Sequence, residues 1–391
     1  MSSRPIHPFP ARMAPEIALA QCQSLPSGAT VLDPMIGSGT VLRAAVDAGL
    51  GGVGYDIDPL AVLMARAWTT PVDRRLLDET ASELVERAMK DRPPRGPDWI
   101  DDDPETERFV NYWFAAPQQR DLRRLSPLLA EQSGPVGDAL RVALSRLIVT
   151  KDRGASLARD VSHSRPHRVL ADNAFEVFPG FLRAVQHVGM RLGDLSPASR
   201  AQVSLGDARN LSGLSSSSID AVITSPPYLN ALDYMRGHRL ALVWLGYSVG
   251  DLRAIRAERI GAERMLDRAV DRASIHALAA ALGEIDGLPP RILGMVDRFL
   301  LDLLHVLQEV HRVLKSGGKA ILVVGNSCLR GVFIDNAAAV EAAAKAVGLH
   351  SLDRQEREIP PSRRYLPPPS TSRHSTMTNR MRTEVVLSFC R

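Results

Sequence analysis

Cysteine is scarce and scattered: Cys22, Cys328 and Cys390 are the three among 391 residues. They form no CxxC pair, which excludes a disulfide framework and argues against a structural zinc site, so no metal is expected. No apolar run approaches the roughly 18 residues needed to cross a bilayer, so no membrane partner is expected. Residues 1–8 lack the apolar core of a secretory signal, and a cytoplasmic location is expected. No Pro-Cys pair offers a nucleophile for a covalent cysteine adduct, and no internal repeat is present.

Excess charge is also modest. The net charge is +4 with 45% hydrophobic content, which suits one large domain with insertions, or two domains. Its distribution is uneven. Seven Lys/Arg face two acids between Arg141 and Arg168, and eight arginines face three glutamates from Arg354 to Arg391. Such patches suit either phosphate attraction or a solvated surface.

Thr30-Val-Leu-Asp33 reads as a short buried strand, followed by a glycine turn and a helix from about Thr40 to Ala48. Gly52-Val-Gly-Tyr-Asp56 reads as a second strand, and Pro59 suits the first turn of the next helix. This βαβα start predicts an α/β, doubly wound, mostly parallel sheet. The alternation stops over residues 71–200, where helices such as Leu76 to Lys90 and Gly137 to Thr150 predict a mainly helical insertion. Strands resume at Val203–Asp207, Ile219–Thr224, Lys319–Val324 and Thr383–Phe389. A charged helix is expected from Asp251 to about Arg272, with helices at about Ile292–Leu314 and Ala337–Val347. Lys315-Ser-Gly-Gly318 reads as a helix cap and turn. The expected division is therefore 1–70 and 201–391 as two parts of one domain, with a second helical insertion at about 247–291.

Two motifs carry the chemistry. In Asp33-Pro34-Met-Ile-Gly37-Ser-Gly39-Thr40 the glycines permit a tight turn and close approach of a ligand. A carboxylate placed before a helix amino terminus suits a group of mixed charge. S-adenosylmethionine, with ammonium, carboxylate and sulfonium, fits that description. Asp56, with Ile57 beside it, ends the next strand, where an acid can accept both ribose hydroxyls. Asp207 ends the third strand and can accept from an adenine amine.

Ser225-Pro226-Pro227-Tyr228 follows the strand Ile219–Thr224. The prolines fix φ and remove two backbone donors, so carbonyls stay available. An exocyclic base amine is a poor nucleophile because its lone pair is delocalised. Acceptors such as the Ser225 side chain and the Pro226 carbonyl can draw that nitrogen toward tetrahedral geometry, with Tyr228 stacked on the base. A base reaches such a pocket only by leaving the duplex.

The two motifs together resemble those of the DNA amino-methyltransferases, the cytosine-N4 and adenine-N6 group. His7-Pro-Phe9-Pro10-Ala-Arg-Met13 is similar to a segment that covers the methionine end of the cofactor in many members. The resemblance covers about 1–70, 200–245 and 295–391. It implies a Rossmann-like methyltransferase fold, S-adenosylmethionine as cofactor and DNA as partner. The motif order implies a target-recognition role for 71–200, and serine at position 225 leans toward cytosine N4. A cognate restriction endonuclease and the oligomeric state stay open. Arg153, Arg165, Arg168, Arg236 and Arg364 are the candidate nucleic-acid contacts. His163 and His167 read as surface histidines. His238 and Arg239 either border the base pocket or merely pair on their helix. The stretch from Arg363 to Pro369 reads as a flap or a connector. A guanine-N2 transfer-RNA methyltransferase and a non-catalytic binding protein on the same scaffold are the rival readings.

Overall fold

The computed structural model describes residues 5–9, 12–90, 96–151, 153–159, 166–193, 195, 201–229, 233–261, 272–359 and 383–391. Pro10, Arg165, Arg364, residues 262–271 of the expected charged helix and the Pro360–Arg380 loop lie outside them.

The sheet has seven strands: β1 Thr30–Asp33, β2 Gly51–Asp56, β3 Ala201–Leu205, β4 Ile219–Thr224, β5 Leu314–Gly325, β6 His350–Glu358 and β7 Thr383–Cys390. Their spatial order is β6-β7-β5-β4-β1-β2-β3. The pairs β1–β2, β1–β4, β2–β3 and β4–β5 are parallel, and β7 runs antiparallel to both neighbours. This is the doubly wound, mostly parallel sheet of the Rossmann-like methyltransferase fold. The order reverses between β1 and β4, and ligands bind at the carboxyl ends of strands at such a switch point. Both motifs emerge there.

Alternation along the strands divides the core. Leu32, Val222, Leu322 and Val324 face a cluster with helices α13 Pro290–Val313 and α14 Asn336–Ala346. Val31, Ile223, Ile321 and Val323 face the other side, against α1 Pro15–Gln23 and α2 Thr40–Asp47. On α13, Val296, Phe299, Leu300, Leu303, Val306, Leu307, Val310 and Val313 recur at helical spacing and are buried. Each contributes roughly 1.5–3 kcal/mol by burial.

Between α3 Pro59–Thr69 and β3 lie α4 Arg74–Lys90, α5 Asp98–Asp101, α6 Pro104–Trp113, α7 Ala116–Ala130, α8 Gly134–Ile148 and α9 Val177–Leu192. The mainly helical character matches the expectation, with one addition. Ala158–Arg159 pairs with His167–Arg168 as a short antiparallel ribbon inside the basic stretch. These helices share one buried cluster with Leu60, Met64 and Trp68 of α3 and with Leu240 of α10 Met235–Leu242.

Several elements differ from the sequence reading, among them β3, which spans Ala201–Leu205 rather than Val203–Asp207. The expected charged helix is short: α11 Val249–Ala257 starts at a Ser248–Asp251 capping box and is followed by Gly261 at φ +67°. Lys315-Ser-Gly-Gly318 does not separate helix from strand. It lies within β5, where Gly317 has φ +73° and the register against β4 shifts. Strand β6 was not expected at all. It is a polar, exposed edge strand, HSLDRQERE, without the apolar alternation that marks a half-buried strand. Among the described residues, no helix is long and apolar enough to cross a membrane.

Candidate methyl-transfer site

The glycine loop is fixed by sterics and by two acids. Gly39 has φ +84°, and a Cβ there would lie 2.8 Å from the Ala65 Cα of α3. A side chain at Gly37 would meet the Phe9 ring at 3.2 Å, so Phe9 lies directly over the loop. The Ile36 amide donates to the Tyr55 carbonyl at 3.0 Å, laying the loop along the end of β2. Pro34 and Thr40 are buried within it.

Asp33, 3% exposed, ends β1 and joins the two motifs. Its Oδ1 accepts from the Thr224 hydroxyl at 2.7 Å and from the Met35 amide at 3.2 Å. Thr224 directly precedes Ser225. Burial pushes the Asp33 carboxyl up to about 7, against the lowering effect of those hydrogen bonds and with the nearby charge of Asp56 adding to it. Asp56 accepts from the Gly37 and Asp58 amides, each at 2.9 Å. Burial and the charge of Asp58 push it up to about 6.

Asp58 has a different function. It caps α3 by accepting from the Leu60 amide at 2.9 Å, and it is 2.6 Å from Nδ1 of His238 on α10. Burial would lift its carboxyl, but the charge and hydrogen bond of His238 outweigh burial and hold it below the ordinary range. His238 in turn sits 5.5 Å from the Phe9 ring, and Tyr234 sits 5.0 Å from it. A cap, a histidine and two aromatic rings thus link the cofactor loop to the helix after the second motif. His238 thus pairs not within its own helix but with the cap of α3, and its ring also lies against Phe9.

The residues of the second motif stand against β5. The Ser225 hydroxyl donates to the Val323 carbonyl at 2.9 Å. The Tyr228 ring packs on Gly325, where an added Cβ would lie 3.0 Å from Cε2. Burial raises the Tyr228 hydroxyl, while hydrogen bonds with Ser225 and the Gly325 backbone oppose the rise. Pro226 is buried and Pro227 half-buried. Asn336, fully buried, locks the following segment. It accepts from the Leu229 amide at 3.1 Å and donates to the Gly325 carbonyl at 3.2 Å and to Ser327 Oγ at 2.9 Å.

Thr224, Asp58 and Asn336 were not singled out from the sequence. Thr224 was legible as the residue between strand and motif. Asp58 before Pro59 carries the local signal of a helix cap, but its contact with His238 and that of Asn336 with Leu229 span 180 and 107 positions and left none. Asp207 stands after β3, where its carboxylate accepts from Arg209 Nε at 3.0 Å and Nη2 at 2.6 Å. Ile57 is half-buried beside Asp56. Arg153 and Arg168 are exposed on the helical insertion, away from both motifs in sequence. Arg236 pairs with Asp233 at 3.2 Å near the second motif.

Asp33 and Asp56 are acids that burial holds toward neutrality, and among the described residues neither hydrogen-bonds a cation. A ligand bearing positive charge and hydroxyls relieves that cost. S-adenosylmethionine is the cofactor whose charges this cleft matches: Asp56 suits the ribose hydroxyls, and the Asp33 loop under Phe9 suits the methionine end. Among the described residues no group of acids, histidines and cysteines could hold a metal ion.

No family model matches the chain. The chain is 23% identical to the type II methyltransferase M.MvaI of Kocuria varians over 416 residues, covering 97% of this chain and 89% of that protein. Among solved structures, it is similar to a TehB-like S-adenosylmethionine-dependent methyltransferase of Corynebacterium glutamicum, with 12% identity, coverage of 97% and 89%, and a TM-score of 0.31. An S-adenosylmethionine-dependent methyltransferase of Methanosarcina mazei gives 10% identity, coverage of 97% and 98%, and a TM-score of 0.34. The strand order and the site, not these scores, carry the fold assignment. The chain is thus similar along nearly its whole length to a type II methyltransferase, and its sheet is that of the Rossmann-like methyltransferases.

Proposed function

We propose that the protein methylates the exocyclic amine of a base flipped out of DNA, with cytosine N4 favoured over adenine N6. The observation that carries this reading is the Ser225 hydroxyl. It donates to the Val323 carbonyl and also hydrogen-bonds the Tyr228 hydroxyl, and its remaining lone-pair capacity is the acceptor this reading assigns to the amine. An amine N–H directed at that oxygen, and another at the Pro226 carbonyl, would localise the nitrogen lone pair. The Asp33–Thr224 bond holds this pair of acceptors beside the cofactor loop. The cofactor, when bound, supplies an electrophilic methyl on sulfur. The protein's own contribution is alignment and exclusion of water, which suits in-line displacement without a covalent enzyme intermediate. The M.MvaI similarity supports DNA as the substrate, and the serine in the motif supports cytosine. Residues 71–200 are proposed as the module that recognises the target sequence.

The test is incubation with tritiated S-adenosylmethionine and unmethylated genomic DNA, followed by nucleoside mass spectrometry. N4-methylcytosine is the expected product, and N6-methyladenine would keep the mechanism while reversing the base. Label in transfer RNA and none in DNA would overturn the reading. The double variant Ser225→Ala/Tyr228→Ala should lose turnover and retain cofactor binding.

A further inference from the structure

One face beside the cleft combines guanidinium groups with aromatic rings. It begins at Asp233, just before α10. Arg236 approaches Asp233 at 3.2 Å, Arg256 of α11 at 2.6 Å, and Arg259 also pairs with it. Three guanidiniums thus converge on Asp233, and the charge of Arg259 also reaches Asp56 and Asp58. Arg259 also lies over the Tyr234 ring at 5.6 Å, so the arginine cluster sits beside the ring that packs on Phe9.

The same face continues onto the helical insertion. Arg239, one turn along α10 from Arg236, lies over the Phe109 ring of α6 at 5.1 Å. Its Nε is buried without a hydrogen-bond partner among the described residues. Burial and then the charge of Arg256 depress its guanidinium, so the like charges feel one another. Beyond Phe109 come Trp113 at 6.3 Å and then Tyr112 at 4.9 Å from Trp113. Tyr112 is half exposed, and the exposed Arg168 lies over its ring at 4.9 Å.

The segment bearing Arg256 and Arg259 is fixed from below. The Glu258 carbonyl accepts from Arg209 at 2.6 Å, and the Gly261 amide donates to Asp302 of α13 at 3.1 Å. Guanidiniums held in place and flanked by aromatic rings are organised for phosphate oxygens.

We infer that the face formed by α10, α11 and α6, from Arg236 and Arg256 to Arg168 on Tyr112, carries the phosphate backbone of the DNA strand flanking the target base. This rests on the proposed DNA substrate. It makes the insertion's contribution a backbone track continuous with the methyl-transfer site. Asp233 is the placeholder whose share of the arginines a phosphate takes.

The test is DNA binding by fluorescence anisotropy across a salt series, using a labelled duplex in the presence of S-adenosylhomocysteine. Each phosphate contact contributes nearly one unit to the slope of log affinity against log salt. Arg236→Gln/Arg256→Gln should lower the slope by about two, and Arg168→Gln by about one, with cofactor affinity and melting temperature as in the wild type. Arg75→Gln, on an exposed arginine of α4 paired with Glu79, is the control for bulk charge and should leave the slope unchanged. A wild-type slope in the track variants, or an equal change in the Arg75 control, would overturn the track. Wild-type protein that methylates DNA while the variants keep its slope would reject the track alone. Wild-type protein that neither binds nor methylates DNA would reject the substrate reading and the track with it.

Discussion

Asp33 and Asp56 are carboxyls raised to about 7 and about 6 in a chain whose unfolded acids titrate near 4. Between those values the folded chain holds protons that the unfolded chain has released, so these two groups make stability fall as pH rises from about 4 to about 7. Asp58 has the opposite sign. Its lowered carboxyl contributes stability above the ordinary acid range and loses it as pH falls through its folded value. Cofactor binding should follow the first pair. A cationic ligand needs the ionised acids, so S-adenosylmethionine affinity should rise from pH 5.5 to pH 7.5, by up to about tenfold per pH unit for each carboxyl that must ionise. Titration calorimetry across that range checks this. A flat profile, or one unchanged in Asp33→Asn, would remove Asp33 from the cofactor site.

Elements differ in how much of themselves the sequence displayed. β1 and β4 were legible because apolar runs end abruptly in Asp-Pro and Thr-Ser-Pro-Pro, where glycine and proline force a turn. The polar β6 was not, since an edge strand exposed on both faces shows no period to read. Glycines 317 and 318 signalled a turn but mark an irregularity within β5, where the β4 register jumps from Leu314 to Lys319 and pairing with β7 begins at Lys319. Of the site, the glycine loop and Ser225–Tyr228 were legible as local strings, and the struts beneath them were not. Asn336, at the start of α14, is such a strut. Asn336→Ala would leave the Leu229 amide and the Gly325 carbonyl without their side-chain partner, costing roughly 2–3 kcal/mol by the desolvation of buried polar groups. Thermal denaturation should show that loss, and steady-state kinetics should show a raised KM for DNA with cofactor affinity retained. Equal losses of DNA and cofactor binding would mean that Asn336 supports the whole sheet rather than the target loop.

At the scale of the molecule, the helices between α3 and β3 share a buried cluster with α3 and α10 and have no separate apolar core of their own among the described residues. Met64 and Trp68 face helices that the sequence reading assigned to an insertion. The expected consequence is a single calorimetric unfolding transition in which far-UV and near-UV signals coincide. Two resolved transitions would show that the insertion is stable independently of the sheet.

The hydrogen bonds that shape the site also have a consequence in time. Thr224 reaches Asp33 across 191 positions, His238 reaches Asp58 across 180, Leu229 reaches Asn336 across 107, and Ser225 reaches Val323 across 98. The first two contacts wait for β4 and α10, and the last two for α14 and β5. A ribosome that has released only the first half has made the glycine loop without the second motif that stands beside it. Competence arrives at once, with the closing of the sheet.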